Sequence, residues 1–295
     1  MDSKAISEFL DEQDWLETVD SALQTAADAT INQGGEGAQK LREKMHGRWL
    51  GHTVHPVITD VPVGAWTVTA LLDIVGMLRG DGRWDKGADA ALNIGLFGAA
   101  GAALTGLNDW QATDGSPRRT GSAHAMFNII ATVLYLVSRL LRFRGRRGAG
   151  RTLGFIGYGF MSAGAFLGGH LVYDQKVGVN HAPDIDELPE DWTPVLAESE
   201  LSEGKPTRAE TDGVRVLLVR RGEQIFAIGE VCSHLGGPLA EGRLEGNCVR
   251  CPWHGSLFVL EDGHCIEGPS AYPQPKFETR VREGQIEVRA AHRME

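Results

Sequence analysis

Cys232-Ser233-His234 and Cys251-Pro252-Trp253-His254 read as C-x-H, sixteen residues, then C-x-x-H. A metal centre needs ligands that converge, and here each of two tight loops offers one thiolate and one imidazole. Two Cys and two His satisfy a structural zinc ion. Zinc fingers, however, usually pair Cys with Cys and His with His along the chain. One of each per loop suits a two-iron, two-sulfide cluster in which one iron takes both thiolates and the other both imidazoles.

Extended by a few residues, Cys232-Ser233-His234-Leu235-Gly236-Gly237-Pro238-Leu239 and Cys251-Pro252-Trp253-His254-Gly255-Ser256 resemble the two cluster loops of the Rieske family. The resemblance runs from about Thr193 to Arg289. It includes Gly268-Pro269-Ser270-Ala271-Tyr272-Pro273, which is similar to the family's third loop over the cluster. It implies a [2Fe-2S] cluster with Cys232 and Cys251 on one iron and His234 and His254 on the exposed one. The respiratory branch of the family carries a further Cys in each loop, joined as a disulfide. Here those positions are Gly237 and Trp253, as in Rieske ferredoxins and oxygenase domains.

Ser256 stands where the respiratory branch has a hydroxyl bonded to a cluster sulfide, and Phe258 where it has a tyrosine. Hydrogen bonds to sulfur stabilise the reduced, more negative cluster and raise its potential. One bond kept and one lost implies an intermediate value within the Rieske range of about −150 to +300 mV. The competing reading of Ser256 is a surface residue without cluster contact. No stretch for the mononuclear iron site of Rieske oxygenases, two His and a carboxylate, is evident. The expected role is a carrier of single electrons.

With 295 residues the chain has room for about two domains. Four cysteines are too few for a disulfide scaffold; Cys248 and Cys265, outside the cluster loops, read as small buried residues or as a pair. A net charge of −10 argues against nucleic acid as a partner. Residues 1–45 carry ten acids and four bases, residues 46–176 eight and thirteen, and the remainder twenty-one and twelve. An acidic head, a basic middle and an acidic tail point to separate domains.

Ile6, Leu10, Leu16, Val19, Leu23 and Ala26 predict an acidic amphipathic helix over residues 3–30. Neither a secretory signal nor a transit peptide is evident there. Asn32-Gln33-Gly34-Gly35-Glu36-Gly37 breaks the helix. Apolar runs follow at Val57–Leu78, Ala88–Leu107, Ala123–Leu141 and Thr152–Tyr173. Each is near the ~20 residues that cross a ~30 Å hydrocarbon core. Gly95, Gly98, Ala99 and Ala102 give the second run small residues that let helices approach closely. A soluble buried bundle is the alternative. His52-Thr53-Val54-His55-Pro56 through Gly64 and Gly168-Gly169-His170-Leu171-Val172-Tyr173 resemble motifs of an uncharacterised bacterial family of four-helix membrane proteins, which implies topology only.

The expected fold is therefore multidomain: an N-terminal helix over 1–45, an all-α four-helix transmembrane bundle over 46–176, a linker over 177–192 and a small all-β Rieske domain over 193–295. In an up-and-down bundle His52, His55, Asp109, His124 and His170 share one end. Haem b, with His124 and His170 as axial ligands, or a quinone or proton site fits such a group. Interfacial histidines bonding head groups or loop carbonyls fit it equally. Asp60 is a candidate for proton uptake, Pro62 is expected to loosen the first span, and Asp73 is expected to pair with Arg79 or Arg83.

The Arg139–Arg151 run favours a cytoplasmic third loop and an outside cluster domain, and Arg146-Arg147 allows a twin-arginine export signal. Lys40, Arg42, Lys44, Arg48, Arg118 and Arg119 weigh the other way. The sequence predicts an integral protein of a bacterial cell membrane that carries electrons between a partner and a redox site in or near the bundle. A self-contained oxidoreductase acting on quinone or another small substrate is one rival. A redox sensor signalling through residues 1–35 is another.

Overall fold

The structure, a computed structural model, describes residues 3–33, 35–184, 188–211 and 213–291. Its chain divides into two units: Met1–Met45 with Val54–Val177, and His46–Thr53 with Gly178–Glu295. The N-terminal helices thus belong with the apolar bundle, and a short segment ahead of the first long helix belongs with the β domain.

In the first unit the predicted single N-terminal helix is two, α1 (Ser3–Asp11) and α2 (Leu16–Ala27), followed by α3 (Gly35–Met45). The reason lies in the apolar spacing. Leu10 and Leu16 are six residues apart, about 1.7 turns, and so fall on different faces of a continuous helix. With the chain broken between them, both join Ile6, Ala123 and Leu167 in one buried cluster. Of the predicted breaker at residues 32–37, Gly34 lies outside the described residues. Gly35 takes a left-handed φ of 62° at the start of α3.

The four apolar runs form α4 (His55–Arg79), α5 (Asp85–Trp110), α6 (Gly115–Phe143) and α7 (Arg147–Tyr173), all long and apolar enough to cross a membrane. Their side chains are arranged inside out. Leu78, Phe97, Ile129, Phe143 and Phe166 are exposed, while glycines, Trp66 and Tyr135 fill the interior. An apolar exterior of this extent is unstable in water and suits lipid. A Cβ on Gly95 would overlap the Trp66 ring, and one on Gly98 would come within 2.7 Å of Val61. The small residues of α5 are therefore the seats of α4. Trp66 in turn stacks on Tyr135, centroids 4.1 Å apart. Pro62 sits within a continuous α4.

At one end of the bundle Asp73 does not pair with Arg79 or Arg83. Its carboxylate is bonded by buried Arg142 and, at 3.3 Å, by Arg151. Arg147 reaches Asp85 and Asp89, and Arg151 also reaches Asp85. The correction has a simple cause: α6 and α7 bring their arginines inward, whereas Arg79 and Arg83 are exposed.

The second unit is all-β. A six-stranded antiparallel sheet has the order β1-β10-β9-β4-β3-β2, and a four-stranded one the order β5-β6-β7-β8. The strands are β1 (Thr193–Ala197), β2 (Thr207–Thr211), β3 (Val214–Arg221), β4 (Gln224–Gly229), β5 (Arg243–Glu245), β6 (Cys248–Arg250), β7 (Leu257–Val259), β8 (Cys265–Glu267), β9 (Lys276–Arg282) and β10 (Gln285–Ala290). Strand β3 does not simply alternate. Val216 and Leu218 enter one core, and Leu217 and Val219 the other, which explains its unbroken apolar run. Of the acidic linker, Ile185–Glu187 lie outside the described residues.

The candidate iron–sulfur centre

The first ligand loop follows β4 and closes through a bridge between Val231 and Pro238. Cys232 N–H donates to Gly237 O at 2.8 Å, and Gly236 N–H to Cys232 O at 2.8 Å, with Gly236 at a left-handed φ of 77°. The second loop is the β6–β7 turn. Cys251 N–H donates to Ser256 O at 2.9 Å and Gly255, φ 83°, turns the chain. These turns bring like ligands together. The Cys232 thiol donates to the Cys251 sulfur, which raises the first and lowers the second thiol's pKa. The His234 and His254 rings stand edge to face with centroids 5.0 Å apart.

This pairing bears on the two metal readings. Two thiols side by side and two imidazoles side by side form the donor set of a two-iron cluster. His234 Nδ1 is buried and has no hydrogen-bond partner among the described residues, as a nitrogen reserved for a metal would be. The N–H groups of Trp253 and His254 point at the Cys251 sulfur and that of His234 at Cys232. Such donors favour a thiolate and the negative charge of a reduced cluster. The residues fit a [2Fe-2S] group. When bound, it accepts and releases one electron at a time.

Cys232 and Cys251 lie in the apolar core shared by the two sheets, beside Phe258 and Leu260. A Cβ on Gly237 would stand 2.9 Å from Cys251 Sγ and 3.1 Å from the Trp253 ring. The position of a respiratory-type disulfide is thus filled by the Trp253 side chain. Cys265 is buried and its thiol donates to Glu267 O at 3.1 Å, and neither it nor Cys248 is joined in a disulfide among the described residues. Ser256 is completely buried, so the surface reading fails. Its Oγ accepts from Ser270 N–H at 3.0 Å, which leaves its own proton for another acceptor. Ser270 belongs to the third loop, and its hydroxyl meets Ser233 Oγ at 2.7 Å. All three loops are therefore cross-linked beside the ligands.

Three nearby residues escaped the sequence reading. Glu230, fully buried two residues before Cys232, is bound by Arg208 at 2.7 Å and faced by Arg215 at 3.6 Å. An acid closing the apolar β4 run was its only signal. His46 and His181 both act on the His234 imidazole; burial first, then His254 and these two, push its pKa down to about 3. Both lie far from the ligand motifs in sequence, so spacing gave no hint of them.

The bundle histidines divide differently from expectation. His52 falls in the β-containing unit and bonds Thr53 O at 2.8 Å. His55 and His124, on α4 and α6, stand edge to face with centroids 6.2 Å apart. His55 Nδ1 bonds Thr105 Oγ1 at 3.2 Å, and His124 Nδ1 bonds Gly164 O at 2.7 Å. His170 turns elsewhere: its Nε2 meets Ser7 Oγ on α1 at 3.0 Å and Asp174 at 3.7 Å. Asp60 is exposed on α4. The structure thus gathers His55 with His124 and engages His170 with the N-terminal helix.

Fold and ligand loops together define a Rieske-type iron–sulfur domain carried behind a bundle of four apolar helices. Comparison with known proteins agrees. Residues 191–278 match the Rieske [2Fe-2S] domain, and residues 51–181 match a predicted membrane protein family, DUF2231. The Ferredoxin CarAc of Metapseudomonas resinovorans is 35% identical over 98 residues, 33% of this chain and 92% of that protein. The anthranilate 1,2-dioxygenase ferredoxin subunit of Burkholderia cepacia is 32% identical over 98 residues, 91% of its length. Mouse apoptosis-inducing factor 3 is 33% identical over 92 residues, and the chain spans 15% of its length. Among solved structures, the ferredoxin of carbazole 1,9a-dioxygenase from Nocardioides aromaticivorans IC177 is 27% identical, with 35% of this chain and 100% of that one covered and a TM-score of 0.33. The chain belongs to the Rieske [2Fe-2S] family.

Proposed function

We propose that the protein is a membrane-anchored Rieske iron–sulfur protein that carries single electrons between a redox partner and a site in or near its helical bundle. The observation that carries this reading is the segregation of ligands into a buried thiol pair and an imidazole pair, on a chain that also has four lipid-suited helices. Cys232 and Cys251 would hold the inner iron in the apolar core. His234 and His254 would hold the outer one, facing the partner. Ser256 would donate to a cluster sulfide.

Similarity to ferredoxins that serve dioxygenases supports a protein partner, and His55 beside His124 supports a second redox site, haem b or quinone, in the bundle. His170 would then tune the N-terminal cap rather than ligate. The protein is read as integral to a bacterial cell membrane, and protease protection of its C-terminus in intact cells and spheroplasts reports its orientation.

Optical and electron paramagnetic resonance spectra of the purified full-length protein test the proposal. A Rieske signal on reduction is expected. A colourless protein holding one zinc ion per chain overturns it. A reducible band in the haem Soret region assigns haem to the bundle, and its absence removes haem while leaving the quinone or proton site and the interfacial histidines.

A further inference from the structure

We infer that His46 is a positioning residue for the imidazole side of the cluster, carried there by a strap of chain from outside the Rieske domain. The inference rests on the Rieske reading above.

The matched domain begins at residue 191, yet the β-containing unit also includes His46–Thr53 and the residues from Gly178 onward. These two segments are joined to the cluster loops by specific contacts. His46 is only 1% exposed, although imidazoles carry two polar atoms and usually keep one in water. Its ring lies flush against Gly268, the first residue of the third loop, and a Cβ on Gly268 would overlap it. Thr53 lies beside Gly178, where a Cβ would meet its Oγ1 at 3.7 Å. Tyr272 O–H, at the other end of the third loop, donates to Gly178 O at 3.0 Å. His181 N–H donates to Ser233 O at 3.1 Å, next to the ligand His234. The strap therefore fastens the third loop at both ends and the first loop at its centre.

Its chemical consequence concerns His234. His46 packs on the third loop at Gly268, and His181 N–H bonds Ser233 O next to His234, so both segments adjoin the loops that hold that imidazole. An iron ligated by imidazole is tuned by whatever surrounds the ring, because those neighbours fix its orientation and its access to water. Here the surroundings of the outer iron come from the sequence flanking the helical unit, so the state of that sequence is read directly at the cluster.

The test uses full-length protein in detergent and three variants: His46→Ala, His46→Gln and Gly268→Ala. Gly268→Ala keeps the imidazole but evicts it from its seat. The readouts are the resonance line shape of the reduced cluster, the couplings of exchangeable deuterons near the histidine ligands after transfer to D2O, and the rate of cluster loss to a chelator. Both His46→Ala and Gly268→Ala are expected to strengthen deuteron coupling and to speed cluster loss several-fold. His46→Gln, which restores bulk and a polar group, is expected to recover part of each. Wild-type line shape, coupling and loss rate in both disrupting variants overturn the inference. Should His46→Ala assemble no cluster, Gly268→Ala decides alone by the same criteria. A wild-type protein without a Rieske signal would instead sink the parent reading.

Discussion

Ser256 shows how much one buried hydroxyl can be asked to do. Its oxygen is occupied as an acceptor by Ser270 N–H, and it is shut off from solvent. Its own proton remains to be donated, and we assign that bond to a cluster sulfide. A donor there would stabilise the more negative, reduced form of a bound cluster and so raise its potential. Hydrogen bonds to charged groups are worth roughly 1.5–3 kcal/mol, and 59 mV corresponds to tenfold for one electron. Ser256→Ala is therefore expected to lower the midpoint potential, by roughly 65 to 130 mV, in a redox titration followed by resonance. An unchanged or higher midpoint removes Ser256 from the cluster. Sequence identified the residue but not its burial, since a serine one turn past a ligand can face either way until the third loop is placed.

At the scale of elements, charge pairs hold the ends of strands and helices where apolar packing thins out. In the β5–β6 hairpin, Arg250 binds both carboxylate oxygens of Glu245 at 2.7 Å and Glu267 at 2.9 Å. Arg250 first, and Arg243 beside it, lower the Glu245 pKa from 4.5 to about 2. A carboxylate with a depressed folded pKa stabilises above its unfolded pKa, and that contribution fades as pH falls through the folded one. Glu245→Gln should thus be less stable than wild type at neutral pH. The gap in denaturation midpoint should close as pH drops from about 4.5 to about 2. A gap that is constant with pH assigns the loss to packing instead.

In the bundle the stakes are higher, because Asp73 and Arg142 are both buried. Removing one member of a buried pair strands the other, at a cost of about 3–5 kcal/mol. Asp73→Ala should lower thermal stability in detergent by about 3 kcal/mol, the lower end, since Asp89 at 3.4 Å still faces Arg142. The same pairs bear on topology. Three arginines that the sequence reading counted toward a cytoplasmic loop, Arg142, Arg147 and Arg151, are matched by Asp73, Asp85 and Asp89. Acids weigh little in that rule, so these pairs leave the arginine counts on the two faces as they stand, and protease protection of the C-terminus is the test of orientation.

For the molecule as a whole, what was legible in sequence is what depends on local spacing. Two thiolate–imidazole loops announce their chemistry within a few residues, and runs of about twenty apolar residues announce a span. The break between α1 and α2 was also written in the phase of Leu10 and Leu16, although the overall periodicity concealed it. Illegible were the pairings made at long range: Asp73 with Arg142, His55 with His124, and His46 with Gly268. Each joins residues whose separation carries no pattern, and only packing brings them together.

The division into two units, each with its own buried clusters, makes a last prediction. Cys232 and Cys251 sit in one core of the β-containing unit, and the bundle's clusters contain neither. A metal group that binds the folded state alone stabilises the unit whose residues hold it. Stripping the cluster with a chelator should therefore lower the melting transition of the β-containing unit, followed by near-ultraviolet dichroism. The helical transition at 222 nm should stay in place. If both transitions moved together by the same amount, the units would be one cooperative body, and the strap at His46 would be coupling the cluster to the bundle thermodynamically.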